Sequence, residues 1–90
     1  MATTSKELEK ILKALANKRR IDMLRYIRAK REATVGDIAD EVNLSFKGVS
    51  KNLRILYAAG ILEREQNGLQ VTYQISGSLS EAARKALAIL

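Results

Sequence analysis

The chain is predicted to be a single mainly α domain with a two-stranded β-hairpin near its end, its elements ordered ααααββα. Three observations carry this. Apolar residues recur at helical spacing in separate short segments, as in Leu8, Ile11, Leu12 and Leu15, and again in Val49, Leu53 and Leu56. A residue suited to start a helix stands before each of the first four segments: Thr4, Asn17, Thr34 and Ser45. Two β-type runs then flank Asn67-Gly68, the strongest two-residue hairpin signal.

The first helix opens at Thr4, where Thr4-Ser-Lys-Glu7 has the form of a capping box. The second follows Asn17 and turns Ile21, Leu24 and Ile27 inward as far as about Lys30. Thr34 starts the third, with Asp37 favouring its positive end, Ile38 and Val42 facing the core, and Ala39 allowing a close helix crossing. Asn43 supplies the turn, because asparagine tolerates left-handed backbone angles. Leu44 plugs that turn and Ser45 caps the fourth helix, Phe46 to about Ala59, which Gly60 ends. Strands are expected over Ile61–Gln66 and Leu69–Ser76, with Leu69, Val71, Tyr73 and Ile75 alternating on one apolar face. Ser78-Leu-Ser-Glu81 reads as a second capping box, opening a last helix that runs to Leu90.

Composition narrows the function. Ninety residues without repeats, low-complexity tracts or linker fit one domain, residues 1–90. A chain this short buries a modest core, so a partner subunit would help it. Cysteine and histidine are both absent, which excludes disulfides, thiol or imidazole nucleophiles and the usual zinc ligands. Asp37, Asp40 and Glu41 fit the solvated face of a short helix better than a cation cage. With no nucleophile–base pair and no glycine-rich phosphate loop, an enzyme is not expected, nor is a cofactor. No apolar run approaches the roughly 20 residues of a membrane span, and the start lacks a secretory apolar segment. A cytoplasmic protein without membrane contact is expected.

The charge is +6, and its distribution says more than its total. Residues 18–31 hold seven cations against Asp22 alone, and Lys47, Lys51 and Arg54 are unopposed, since Ser45 to Leu62 contains no acidic residue. A basic block can be a solvated helix face, but two blocks coinciding with one helix argue for phosphate contact. On the fourth helix, Val49, Leu53 and Leu56 form a core stripe, leaving the remaining positions for base edges and phosphates. The DNA-facing set read from the sequence is Ser45, Phe46, Lys47, Gly48, Ser50, Lys51, Asn52 and Arg54. Arg20 joins it as a phosphate contact, and Gln66, Asn67 and Gln70 at the hairpin tip. Gly48 would let the helix backbone approach DNA closely. Phe46 fits equally a thymine methyl or local packing on Leu44 and Val42.

These residues together resemble the winged helix-turn-helix repressors of the ArsR type, over nearly the whole chain. LKALANKRRIDMLRYI resembles that family's opening, with Arg20 at the place of its arginine. LSFKGVSKNLRILYAAGILERE is similar to its central run, matching at Leu44, Ser45, Val49, Ser50, Leu53, Leu56, Ala59, Gly60 and Leu62. Asn67-Gly68 and Tyr73 resemble its wing. The resemblance implies double-stranded DNA as partner and a homodimer paired through the first and last helices. Asn52 stands where the family commonly has histidine, and Asn43 where it has glycine. The family's thiolate pair falls at Thr34 and Gly36, and the last helix lacks the Asp and His of its second metal site. The metal-sensing part is therefore withdrawn.

The last helix carries an alanine-centred stripe from Leu79 to Leu90, which permits close axis approach. Leu8, Leu12, Ala83, Ala86, Leu87 and Leu90 are the expected dimer contacts; the alternative is that the terminal helix covers its own domain. The function expected is a homodimeric, sequence-specific DNA-binding regulator, a repressor on an inverted repeat that does not sense metal. The competing reading is a winged-helix module for protein or RNA partners.

Overall fold

The computed structural model describes residues 3–90; the first two positions of the domain read as 1–90 lie outside that range. The elements are α1 (Ser5–Leu15), α2 (Lys18–Lys30), β1 (Ala33–Thr34), α3 (Val35–Val42), α4 (Phe46–Ala58), β2 (Leu62–Asn67), β3 (Gln70–Ile75) and α5 (Glu81–Leu87). The mainly helical class holds, with one addition. Ala33 and Thr34 pair antiparallel with Tyr73 and Thr72, making a three-stranded sheet ordered β1-β3-β2. Two residues are too few to show a strand's alternation, so only the tertiary pairing reveals β1.

The helix starts follow side-chain chemistry. The Thr4 hydroxyl accepts from the Glu7 amide at 3.1 Å, Asn17 Oδ1 from the Arg20 amide at 3.2 Å, and the Ser45 hydroxyl from the Gly48 amide at 3.0 Å. At α3 the box is reciprocal: Thr34 accepts from the Asp37 amide while the Asp37 carboxylate accepts from the Thr34 amide. Each cap satisfies an amide that the first helical turn leaves unpaired. The last helix departs from expectation. Its cap is Ser80, whose hydroxyl accepts from the Ala83 amide at 3.1 Å; the Ser78 amide instead donates to the Ser76 hydroxyl. Regular helix ends at Leu87, and Ile89 and Leu90 donate to carbonyls three residues back in a tightened last turn.

The hairpin also differs by one residue. Asn67 pairs with Gln70, so the two loop residues are Gly68 and Leu69 rather than Asn67 and Gly68. Gly68 has φ +65°, and glycine first is what a type II′ turn prefers. The register is set from the other end of the hairpin, where Leu62 opposite Ile75 and Tyr73 opposite Arg64 put Leu62 and Tyr73 into the core. Leu69 thereby leaves the apolar strand face and becomes fully exposed.

The core is aliphatic, as the scarcity of aromatics predicts. Met23, Leu24 and Ile27 of α2 meet Ile38 of α3 and Val49, Leu53 and Leu56 of α4, closed by Ile61, Leu62 and Tyr73. Below it, the Glu63 carboxylate accepts from the Gly77 amide at 3.0 Å, the Ser76 hydroxyl at 3.1 Å and the Gln74 side-chain amide at 3.3 Å. The Gly77 bond above all, then those from Ser76 and Gln74, holds its carboxyl below the usual carboxylate range. This pins the β3–α5 connection to β2, and α5 then packs back against α1. Among the described residues no helix is long and apolar enough to cross a membrane.

Candidate nucleic-acid interface

The two faces of α4 separate as their residue types demand. Val49, Leu53 and Leu56 are wholly buried, while Lys47, Lys51 and Arg54 are exposed and Ser50 is half-buried beside them. None of these three cations has a carboxylate partner among the described residues. Phe46, left open between DNA and core on the sequence, is 63% exposed at the helix start. It does not pack as local core.

The turn before α4 is held at several points. Asn43 adopts φ 53°, ψ 52°, the left-handed conformation the sequence expects of it. The Leu44 amide donates to Ala39 O at 3.2 Å. Arg19 Nη1 donates to Val42 O at 2.9 Å, placing a cation on the carbonyl end of α3, where the helix dipole favours it. In sequence Arg19 is one cation of a basic block; its partner lies 23 residues away, beyond any local pattern. Gly48 has an internal explanation as well. A Cβ there would sit 3.1 Å from the Ser45 hydroxyl and 3.3 Å from Leu44 Cγ, so a larger residue would crowd the cap and the turn plug whether or not DNA approaches.

Arg20 and Asn52, both read from the sequence as DNA contacts, are joined to each other. Arg20 Nη1 donates to Asn52 Oδ1 at 2.9 Å, its Nε to Ala14 O at 2.6 Å and its Nη2 to Lys13 O at 3.3 Å. Asn52 Nδ2 donates in turn to Gly48 O at 2.9 Å. Both side chains are half-buried. These bonds tie α4 to the α1–α2 junction.

The hairpin stands beside α4, and between them runs a groove of about 540 Å³ lined by Phe46, Ser50, Arg54, Arg64, Leu69 and Tyr73. Gln66, Asn67 and Gln70 are exposed at its tip, and Gln66 Nε2 donates to Gly68 O at 3.2 Å. Arg64, which the sequence reading omitted, lies over the Tyr57 ring with 4.6 Å to the centroid, a favourable cation–π distance. Its strand parity with Gln66 was the available signal.

A family model described as a helix-turn-helix domain matches residues 15–65, the span from the end of α1 through α4 into β2. Among solved structures, a possible transcriptional regulatory protein from Mycobacterium bovis superposes with TM-score 0.80 at 30% identity, over 93% of this chain and 86% of that one. A solution structure from the same organism is a homodimeric winged helix-turn-helix DNA-binding domain and a possible ArsR-family regulator. It matches at 29% identity and TM-score 0.79, over 99% of this chain and 85% of that one.

The chain belongs to the ArsR-type winged helix-turn-helix family.

HlyU from Vibrio cholerae is similarly related, at 26% identity and TM-score 0.81, over 99% of this chain and 92% of that one. No curated protein matches the chain by sequence at a significant level. In winged helix-turn-helix terms α3 and α4 are the helix pair, α4 is the recognition helix, and β2 and β3 form the wing. Thr34 spends its hydroxyl on capping α3. Among the described residues no three His, Cys, Asp or Glu side chains are grouped to hold a metal ion.

The expected dimer contacts divide. Leu8 and Leu12 lie exposed on α1, and Ala86 and Leu90 are half-buried. Ala83 and Leu87 are buried within their own subunit, Leu87 as part of the core. Leu87 O also accepts from Arg28 Nη1 at 3.1 Å. The inner side of α5 therefore covers its own domain, and its outer side lies exposed or half-buried beside α1.

Proposed function

We propose that this winged helix-turn-helix regulator binds an inverted repeat in duplex DNA as a homodimer and represses by occupying it. The single observation that carries the reading is α4: a helix anchored by a fully buried stripe that presents Lys47, Ser50, Lys51 and Arg54 outward and contains no acidic residue of its own. Such a face supplies donors for base edges and cations for phosphates. Lys47, Ser50 and Lys51, on the N-terminal half, are the base-proximal residues, with Ser45 and Phe46 at the entering end. Arg54 meets a phosphate, and Gln66, Asn67 and Gln70 carry the wing into the neighbouring minor groove. Two-fold pairing would set the two recognition helices about 34 Å apart, one turn of DNA. The homodimeric relative from Mycobacterium bovis supports that symmetry, and the apolar surface of Leu8 and Leu12 supplies a face for it.

Release does not run through a transition metal held by soft ligands, because the chain has neither cysteine nor histidine. Selection of bound sequences from random duplexes tests the whole reading. An inverted repeat with half-sites one helical turn apart is expected, with affinity falling steeply as salt rises. Binding with no preferred sequence, or none at all, overturns it.

A further inference from the structure

The wing tip is chemically unlike the rest of this basic molecule. From Gln66 to Ser76 there is no charged residue, in a chain of net charge +6. At the end of that neutral segment stands Leu69, the most exposed large hydrophobic residue among those described. The fold has no use for leucine there. The turn needs only the positive φ of Gly68. Leu69 belongs to neither strand, and with its side chain wholly in solvent it adds nothing to the core. Yet it stands beside α4, since Leu69 and Phe46 both line the groove that also holds Ser50 and Arg54. The leucine thus projects on the side where the recognition helix presents its outward face.

We propose that Leu69 is an apolar wedge that enters the minor groove next to each half-site and kinks the duplex. This rests on the DNA-binding reading above and adds the means by which the wing acts. The minor groove of A·T pairs displays only acceptors, adenine N3 and thymine O2. Asn67 and Gln70 flank the turn with neutral amide donors suited to them, and the nearest acid, Glu65, stands two residue pairs back from the tip on their sheet face, opposite Thr72. An uncharged tip draws nothing from counterion release, so its contribution must come from contact. Leucine is among the side chains that proteins insert between base steps, partly unstacking them and bending DNA toward the major groove. Pyrimidine–purine steps unstack most easily. The wedge therefore selects a TA or CA step at the edge of the operator, a preference the major-groove contacts of α4 cannot supply.

The test compares wild type, Leu69→Ala and Leu69→Asn on an inverted-repeat duplex obtained by selection, labelled at both ends for energy transfer. Wild type should shorten the end-to-end distance. Both variants should lose that bend and about tenfold in affinity, with the slope of log affinity against log salt unchanged, and with the preference for a flexible flanking step abolished. Circular dichroism melting should show both variants folded, since the core does not include residue 69. Wild-type bending and affinity in Leu69→Ala overturn the wedge, as does an affinity loss with the bend intact. If the wild type itself binds no duplex, the DNA-binding reading fails instead, and the two failures are thereby distinguished.

Discussion

Arg20 and Asn52 are 32 residues apart in sequence, and a 2.9 Å hydrogen bond joins the guanidinium of one to the amide oxygen of the other. Through it the recognition helix is tied to the same arginine that gathers the carbonyls of Ala14 and Lys13 at the end of α1. Arg20→Ala would remove these bonds and leave the buried Ala14 carbonyl unsatisfied, and hydrogen bonds to a charged donor are the stronger kind. A loss of about 2 to 3 kcal/mol in urea unfolding is expected, and about 1 kcal/mol for Asn52→Ala. Because Arg20 is occupied, the salt slope of DNA binding should stay that of the wild type. A slope reduced by about 1 per subunit, with stability intact, would make Arg20 a phosphate ligand after all.

Lys51 and Arg54 should separate the two kinds of DNA contact. Arg54→Ala is expected to weaken binding to every duplex alike and to reduce the salt slope by about 1 per subunit. Lys51→Ala should cost about 1 to 3 kcal/mol on the preferred site and less on random sequence. Equal losses on both kinds of DNA for both variants would remove the base-reading role from Lys51. No loss for either would remove the recognition-helix assignment.

What was legible in the sequence was local. Thr4, Asn17, Thr34 and Ser45 are caps because their side chains bond amides three residues on, and that needs no knowledge of the fold. Asn43 and Gly60 likewise announce their backbone angles. What was hidden depended on distant partners. Ser78, with Glu81 three residues on, is the better local signal, yet the cap is Ser80; Ser78 instead belongs to the turn in which its amide donates to Ser76, itself held by Glu63. Asn67-Gly68 is the better isolated turn, but burial of Leu62 and Tyr73 sets a register that makes Gly68-Leu69 the loop. The outward cations of α4 were legible for the reason its caps were, since one helical period sorts them from the core stripe. The internal partners of Arg19, Arg20 and Asn52 were not, because they lie 23 and 32 residues away and a side chain bonded to a remote group looks like a free one in sequence.

The division of the terminal helices gives a test of assembly. Leu12 is 51% exposed on α1 and outside the core cluster, whereas Leu87 belongs to it. Leu12→Glu should yield a folded monomer, with an unchanged circular dichroism spectrum and weakened operator binding. Leu87→Glu should unfold the subunit, because an unpaired carboxylate would enter the core. Sedimentation at tens of micromolar is the measurement, with wild type expected as dimer. A monomeric wild type, or a Leu12→Glu variant that remains dimeric, would move the interface elsewhere.

Glu63 should make part of the stability depend on pH. Its carboxylate accepts three hydrogen bonds, from the Gly77 amide, the Ser76 hydroxyl and the Gln74 side chain, and they lower its pKa in the folded chain. A carboxyl with a depressed folded pKa binds its proton more readily when unfolded, so stability rises with pH through that range. The contribution is therefore complete above the ordinary glutamate range, near pH 4.3 in an unfolded chain. It is lost as pH falls through the lower, folded value. Glu63→Gln keeps the shape but removes the charge, so it should melt at lower temperature than wild type at pH 7. The gap should close as both are acidified below the usual carboxylate range. Melting curves from pH 7 to pH 3 would show this convergence, and a constant gap across them would mean that the charge of Glu63 does not hold the β3–α5 turn.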